Sequence, residues 1–133
     1  MDRIRVKIID MGHRDSFFKH QIVSFSYAIE GIIYSFKKGT HFKIQTLAAV
    51  AAVIAAVIYK ISYIEWLTII LISSAILAAE AINTGIEETG DVLHPEHHPR
   101  VKLAKHCAAG GVLILSIAAV IIGAIIFLPK IFV

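Results

Sequence analysis

The chain has 133 residues, of which 57% are apolar and only 17% charged, with a net charge of +3. Soluble domains run at roughly 45–50% apolar and 25% charged, so the excess excludes an ordinary water-soluble domain and points to one membrane domain. The single cysteine, Cys107, excludes an intrachain disulfide. No nucleic-acid partner is expected.

The N-terminus, MDRIRVKIID, lacks a long apolar core and a small-residue cleavage site, so it does not read as a secretory signal. Residues 1–15 are expected to form a mobile extension, with Met11 as a second candidate start. The single membrane domain is expected over residues 16–133. It opens with SFFKHQIVSFSYAIEGIIYSFKK (16–38), where Phe18, Ile22, Phe25, Ile29, Ile32, Ile33 and Phe36 recur at helical spacing. That stripe, with Lys19, Ser26, Glu30 and Lys37 largely between its members, predicts an amphipathic helix lying in the membrane interface.

Three apolar runs follow. IQTLAAVAAVIAAVIY (44–59) is bracketed by Lys43 and Lys60, and its span is expected over about 42–60. A second span is expected over about 64–88 and a third over about 106–129, the latter containing CAAGGVLILSIAAVIIGAIIFLP. Each approaches the ~20 residues a bilayer core requires. The fold class is therefore an all-α membrane protein, with one interfacial helix and three transmembrane helices. Arg3, Arg5, Lys7, Arg14, Lys19, Lys37, Lys38 and Lys43 precede the first span, and Arg100, Lys102 and Lys105 separate the second from the third. Only Lys60 and Lys130 fall on the other side. The bias places the N-terminus and the loop over 91–106 on the cytoplasmic side of the membrane.

The second span runs into AEAINTGIEETGD (79–91). Glu80, Asn83, Glu87 and Asp91 are spaced i, i+3, i+7, i+11 and share one helix face. Counted from Glu65 at ~1.5 Å per residue, Glu80 lies about 22 Å along the axis, still within a ~30 Å core. Glu80 is placed to act as a general base toward a hydroxyl at the interface. Glu87 and Asp91 offer the hard oxygens that Mg²⁺ accepts together with nucleotide phosphates, and Asn83 can orient either partner. Such a stripe suits phosphoryl transfer, where positioning and charge neutralisation dominate. The plainer alternative is a span that ends at Glu80 and continues as a solvated helix face. No Walker loop is present, so a nucleotide would have to be held differently.

EAINTGIEETGD resembles the ExxNTAIExxxD signature of the prokaryotic diacylglycerol kinase family, which includes the undecaprenol kinases. HPEHHPRVKLAKHCAAGGVLI is similar to the family's PEYHPxAKxAKDxAAGAVLL segment, and FSYAIEGIIYSFKKGTHFKI to FxYAxxGIxYxxxxExNFxI. The resemblance covers roughly residues 16 to 130. It implies a homotrimer with active sites between chains, passing the γ-phosphate of MgATP to a lipid hydroxyl of diacylglycerol or undecaprenol. By the same resemblance Glu80 is the general base and Glu87 a metal ligand. Asn83 and Asp91 belong to the polar shell, Tyr27 lies near the adenine, and Lys105 contacts phosphates. Two positions depart from the pattern: a family glutamate that binds metal falls at Gly39, and the aspartate of the AKD motif is His106. One carboxylate fewer predicts a weaker Mg²⁺ site. A working kinase with a rewired metal site and a degenerate member with little turnover are both compatible with those changes. A third reading, from another class, is a small oligomeric protein that binds or transports cations along the acidic stripe.

His94, His97 and His98 form a tempting metal cluster, but Pro95 and Pro99 push their neighbours toward extended backbone, and a solvated loop is expected. Cys107, Ala108, Ala109, Gly110 and Gly111 are expected to pack closely against the second span near Glu80. Tyr59, Tyr63 and Trp66 read as an aromatic belt at the outer boundary.

Overall fold

The computed structural model describes residues 2–94 and 98–132, with side chains from Phe17 onward other than Phe18. The expectations for residues 1–15 as a mobile extension, for the Phe18 ring and for His97 thus rest wholly or partly outside the described residues. Four helices follow one another: α1 (Asp2–Lys38), α2 (Thr40–Ile58), α3 (Tyr63–Leu93) and α4 (Pro99–Ile131). Among the described residues there is no strand. The backbone divides into two compact units, residues 1–34 and 35–133.

The first unit is the greater part of α1. Its described apolar side chains, among them Ile22, Phe25, Ile29 and Ile32, are exposed within the chain. A helix whose apolar stripe is left uncovered fits a surface that is not water.

The second unit holds α2, α3 and α4, each long and apolar enough to cross a membrane. Central α3 packs against both α2 and α4. The helices outrun the apolar runs that predict them, because local caps decide where they stop. Ser62 and Glu65 form a capping box at the start of α3, with Glu65 Oε2 accepting from the Ser62 N–H at 2.6 Å. That box contributes on the order of 1 kcal/mol through its serine. Pro99 occupies the first turn of α4, where its missing N–H costs nothing, and His98 Nδ1 accepts from the Arg100 N–H at 3.3 Å. Lys60, at φ 48°, turns the chain out of α2 in left-handed backbone, and the Ile61 N–H returns to the Ala56 carbonyl at 3.2 Å.

Packing is densest around this α2–α3 turn. Ala56, Ile61, Ile69 and Ile126 are buried together, with Trp66 and Phe127 against them. Trp66 is therefore a packing residue as much as a boundary residue, whereas Tyr63 stays 76% exposed, as a belt residue would. Lys130 Nζ reaches Glu65 at 3.1 Å and ties the end of α4 to the start of α3. Hydroxyls along the helices donate to the carbonyl one turn back, Thr46 to Phe42 and Ser116 to Val112 among them. In an apolar surrounding, that is the available way to satisfy them.

The expected close packing at Cys107–Gly111 is not where α3 and α4 meet most tightly. A Cβ added at Gly110 or Gly111 would meet nothing within 4 Å. At Gly90 it would come within 2.9 Å of both Lys105 Cε and Val101 Cγ1. The glycine that lets these helices approach is on α3, beside Asp91, because the Lys105 stem and the branched Val101 of α4 lie against the helix there.

Candidate active site

Glu80, Asn83 and Thr84 are buried on α3, with Glu80 only 4% exposed. A carboxyl so enclosed in a membrane-length helix carries a large desolvation cost and is retained for a reason other than packing. The Thr84 hydroxyl donates to the Glu80 carbonyl at 2.9 Å, which satisfies the threonine and leaves the Glu80 side chain out of that bond.

Asn83 connects the buried end of the stripe to its exposed end. Its Nδ2 donates to Glu87 Oε1 at 3.1 Å, while Oδ1 is buried without a hydrogen-bond partner among the described residues. A neutral amide thus holds one oxygen of the exposed Glu87 carboxylate and keeps a second acceptor in reserve. The Glu87 carboxylate and the Asn83 carbonyl offer hard oxygens of the kind that Mg²⁺ accepts, as one or two protein ligands together with phosphates. Among the described residues no three His, Cys, Asp or Glu side chains converge into a closed metal cage.

One turn further, Asp91 Oδ1 accepts from Lys105 Nζ at 2.5 Å. The Lys105 stem lies across Gly90, so the glycine, the aspartate and the lysine form one local unit. Lys38 pairs with Glu88 from the last turn of α1. Two ammonium groups and two carboxylates therefore gather at this end of α3, on both sides of the stripe.

The two departures differ in character. Gly39 is the single residue between α1 and α2, at φ −79° and ψ 110°, with its N–H bonded to the Ser35 carbonyl at 2.8 Å. A Cβ built there would stand 2.8 Å from the same Ser35 oxygen and 3.2 Å from Phe42 Cβ. The turn itself thus excludes a side chain in this geometry, quite apart from the charge that is missing. His106 is exposed on α4, next to Lys105. Tyr27 lies in the first unit with its ring 67% exposed.

Sequence reasoning passed over His41. It stands in the first turn of α2, and with Glu87 it is one of the ionisable groups near Glu80. The clue was its position two residues after Gly39, a short step from the lost carboxylate. Thr84 and Gly90 were missed as well; neither residue type advertises a site, and only the crossing of α4 over α3 gives Gly90 its part.

The pattern of a buried acid, an amide-held carboxylate and flanking lysines on membrane helices is that of a membrane-embedded phosphotransferase. The family model described as prokaryotic diacylglycerol kinase matches residues 26–127, and the chain belongs to that family. It is 38% identical over 107 residues to an undecaprenol kinase of Bacillus subtilis, a match covering 80% of this chain and 87% of that protein. It is also 38% identical over 109 residues to a diacylglycerol kinase of Synechocystis, covering 81% of this chain and 62% of the other. The cation-path reading of the stripe gains nothing from these relatives.

Proposed function

We propose that the chain is an ATP-dependent lipid kinase, moving the γ-phosphate of MgATP to the hydroxyl of a membrane lipid, diacylglycerol or undecaprenol. The observation that carries this reading is the buried Glu80 at the head of the Asn83–Glu87 pair, in a chain of this family. Glu80 takes the proton from the lipid hydroxyl; the freed oxygen forms the new bond to the γ-phosphorus as the bond to ADP breaks. Glu87 would hold a divalent ion such as Mg²⁺, which when bound would supply positive charge to offset the phosphates, and Asn83 orients the Glu87 carboxylate. Lys105, positioned by Asp91, meets a phosphate oxygen, and Tyr27 packs near the adenine.

His41 stands two residues beyond Gly39, where the family carboxylate is absent. The site would then work with one metal carboxylate fewer and a higher Mg²⁺ requirement. The reading extends to a homotrimer with sites between chains, α1 in the interface, and the stripe facing the cytoplasm of the bacterial inner membrane. Family membership and the basic residues around the second-to-third-span loop support these points.

The test is phosphate transfer from labelled ATP to each lipid by the purified chain, over a Mg²⁺ series. Glu80→Gln is expected to lower lipid-dependent transfer by about 10²–10⁴-fold, the usual contribution of a general base. Its membrane insertion and oligomeric size should stay as in the parent. Unchanged turnover in that variant removes the base assignment, and no transfer by the parent to either lipid removes the kinase reading.

A further inference from the structure

Beyond the acidic stripe, α2, α3 and α4 line a half-open cavity of about 260 Å³. Its wall is made of small and branched apolar residues, Ala49, Ala52 and Gly123 among them, and is polar only at Gln45, Ser73 and Ser116. Gln45 Oε1 is buried with no hydrogen-bond partner among the described residues. An amide oxygen left unpaired in an apolar wall is costly, so its place calls for an occupant with polar atoms of its own.

Depth identifies the occupant. Gln45 lies one turn further along α2 than His41, in the wall shared with Ser73 and Ile76 of α3. On α3, Ile76 and Ser73 in the cavity wall stand four and seven residues before Glu80, ~6 and ~10 Å along the axis. A lipid with its hydroxyl at Glu80 therefore runs past Gln45 within its first several bonds. In a diacylglycerol the ester groups sit three to five bonds from the free hydroxyl, or ~4–6 Å at ordinary bond lengths. In a polyprenol that depth holds only hydrocarbon. A glutamine amide offers its acceptor or, after a half-turn of its terminal bond, its donor, and an ester carbonyl takes the donor.

We infer that this cavity receives the ester groups and upper chains of a glycerolipid alcohol, and that Gln45 is the residue by which the site favours diacylglycerol over a polyprenol. This specificity rests on the lipid-kinase reading above. A polyprenol leaves the Gln45 amide unpaired, the kind of mismatch by which a hydrogen-bonding site rejects an analogue that lacks the group. Gln45 touches the lipid but not the reacting atoms.

The experiment uses the full chain in mixed micelles with two readouts. The first is kcat and KM for phosphate transfer to diacylglycerol and to a short polyprenol. The second needs no turnover: a diacylglycerol brominated in its acyl chains quenches Trp66, the sole tryptophan, which packs beside cavity residues Ile69 and Phe127. In the parent, quenching should saturate and be displaced by unlabelled diacylglycerol more readily than by polyprenol. Gln45→Leu should raise the KM and the half-saturating concentration for diacylglycerol about tenfold, the scale of one hydrogen bond, and lower those for the polyprenol, which then buries no unpaired amide.

A second variant, Gly123→Val, adds volume where a Cβ meets open space, and should weaken both lipids. Equal effects of Gln45→Leu on the two lipids, or none, overturn the proposal, as does quenching that does not saturate. A change in oligomeric size in place of lipid preference also overturns it, assigning the cavity to a neighbouring copy. If the parent transfers phosphate to neither lipid, the kinase reading fails, and the quenching experiment still decides the cavity.

Discussion

Gly39 and Asn83 show how a single residue can be read correctly for charge and incompletely for geometry. The sequence marks Gly39 as a missing carboxylate, and the obvious repair is Gly39→Glu. The Ser35 carbonyl, 2.8 Å from the position of the new Cβ, is backbone and cannot swing aside. Gly39→Glu alone is therefore expected to destabilise the chain by about 1–3 kcal/mol, the usual cost of overpacking. Thermal unfolding in detergent measures it, and an unchanged midpoint would mean that the turn opens freely. His106→Asp, on an exposed side chain, carries no such cost and should lower the Mg²⁺ concentration for half-maximal activity. Spacing alone places Asn83 on the acidic face, but not the bond to Glu87. Asn83→Ala frees that carboxylate, and the expected outcome is a larger rise in the Mg²⁺ requirement than in the KM for lipid.

At the scale of elements, the periodicities and caps made much of the fold legible before any coordinates. Three apolar runs give three membrane-length helices, and Ser62 with Glu65 is a capping box visible as S-x-x-E. The contacts between helices were not legible. Glycine pairs in the third span suggested a close seam at Gly110 and Gly111, yet the tight crossing falls at Gly90, because side chains at positions 101 and 105 lie over it. Small residues permit approach and do not compel it. Gly90→Leu should displace the Lys105 stem and break its bond to Asp91, raising the KM for ATP about tenfold while the KM for lipid changes little. Equal changes in both would mean that the substitution disturbs the whole bundle. The stripe of Glu80, Asn83, Glu87 and Asp91 was fully legible as a face, since i, i+3, i+7 and i+11 follow from helix geometry alone. His41 was not, because its relation to Glu80 depends on how α2 and α3 are paired.

For the whole molecule, orientation is the property on which the proposed chemistry most depends. In a Cys107→Ala background, His94→Cys places one thiol in the second-to-third-span loop. A membrane-impermeant thiol reagent should label it in inverted vesicles and not in right-side-out ones. The opposite pattern would put the stripe on the side away from ATP. The uncovered apolar residues of α1 and of the three long helices are as expected where lipid, and not water, is the solvent.

The two ends of the second unit are built differently, and that has a consequence for anyone who wishes to redesign the protein. Around the α2–α3 turn sit the buried isoleucines, the capping box and the Lys130–Glu65 pair. Toward Glu80 come the cavity and the unsatisfied amides. Robustness and chemistry thus meet at Ala52, Ile69 and Phe127, which form or flank the buried cluster and also line the cavity. Ruggedising substitutions around Ile61 and the Lys130–Glu65 pair can be accumulated while those three are kept, leaving the reactive end free to be retuned for another lipid.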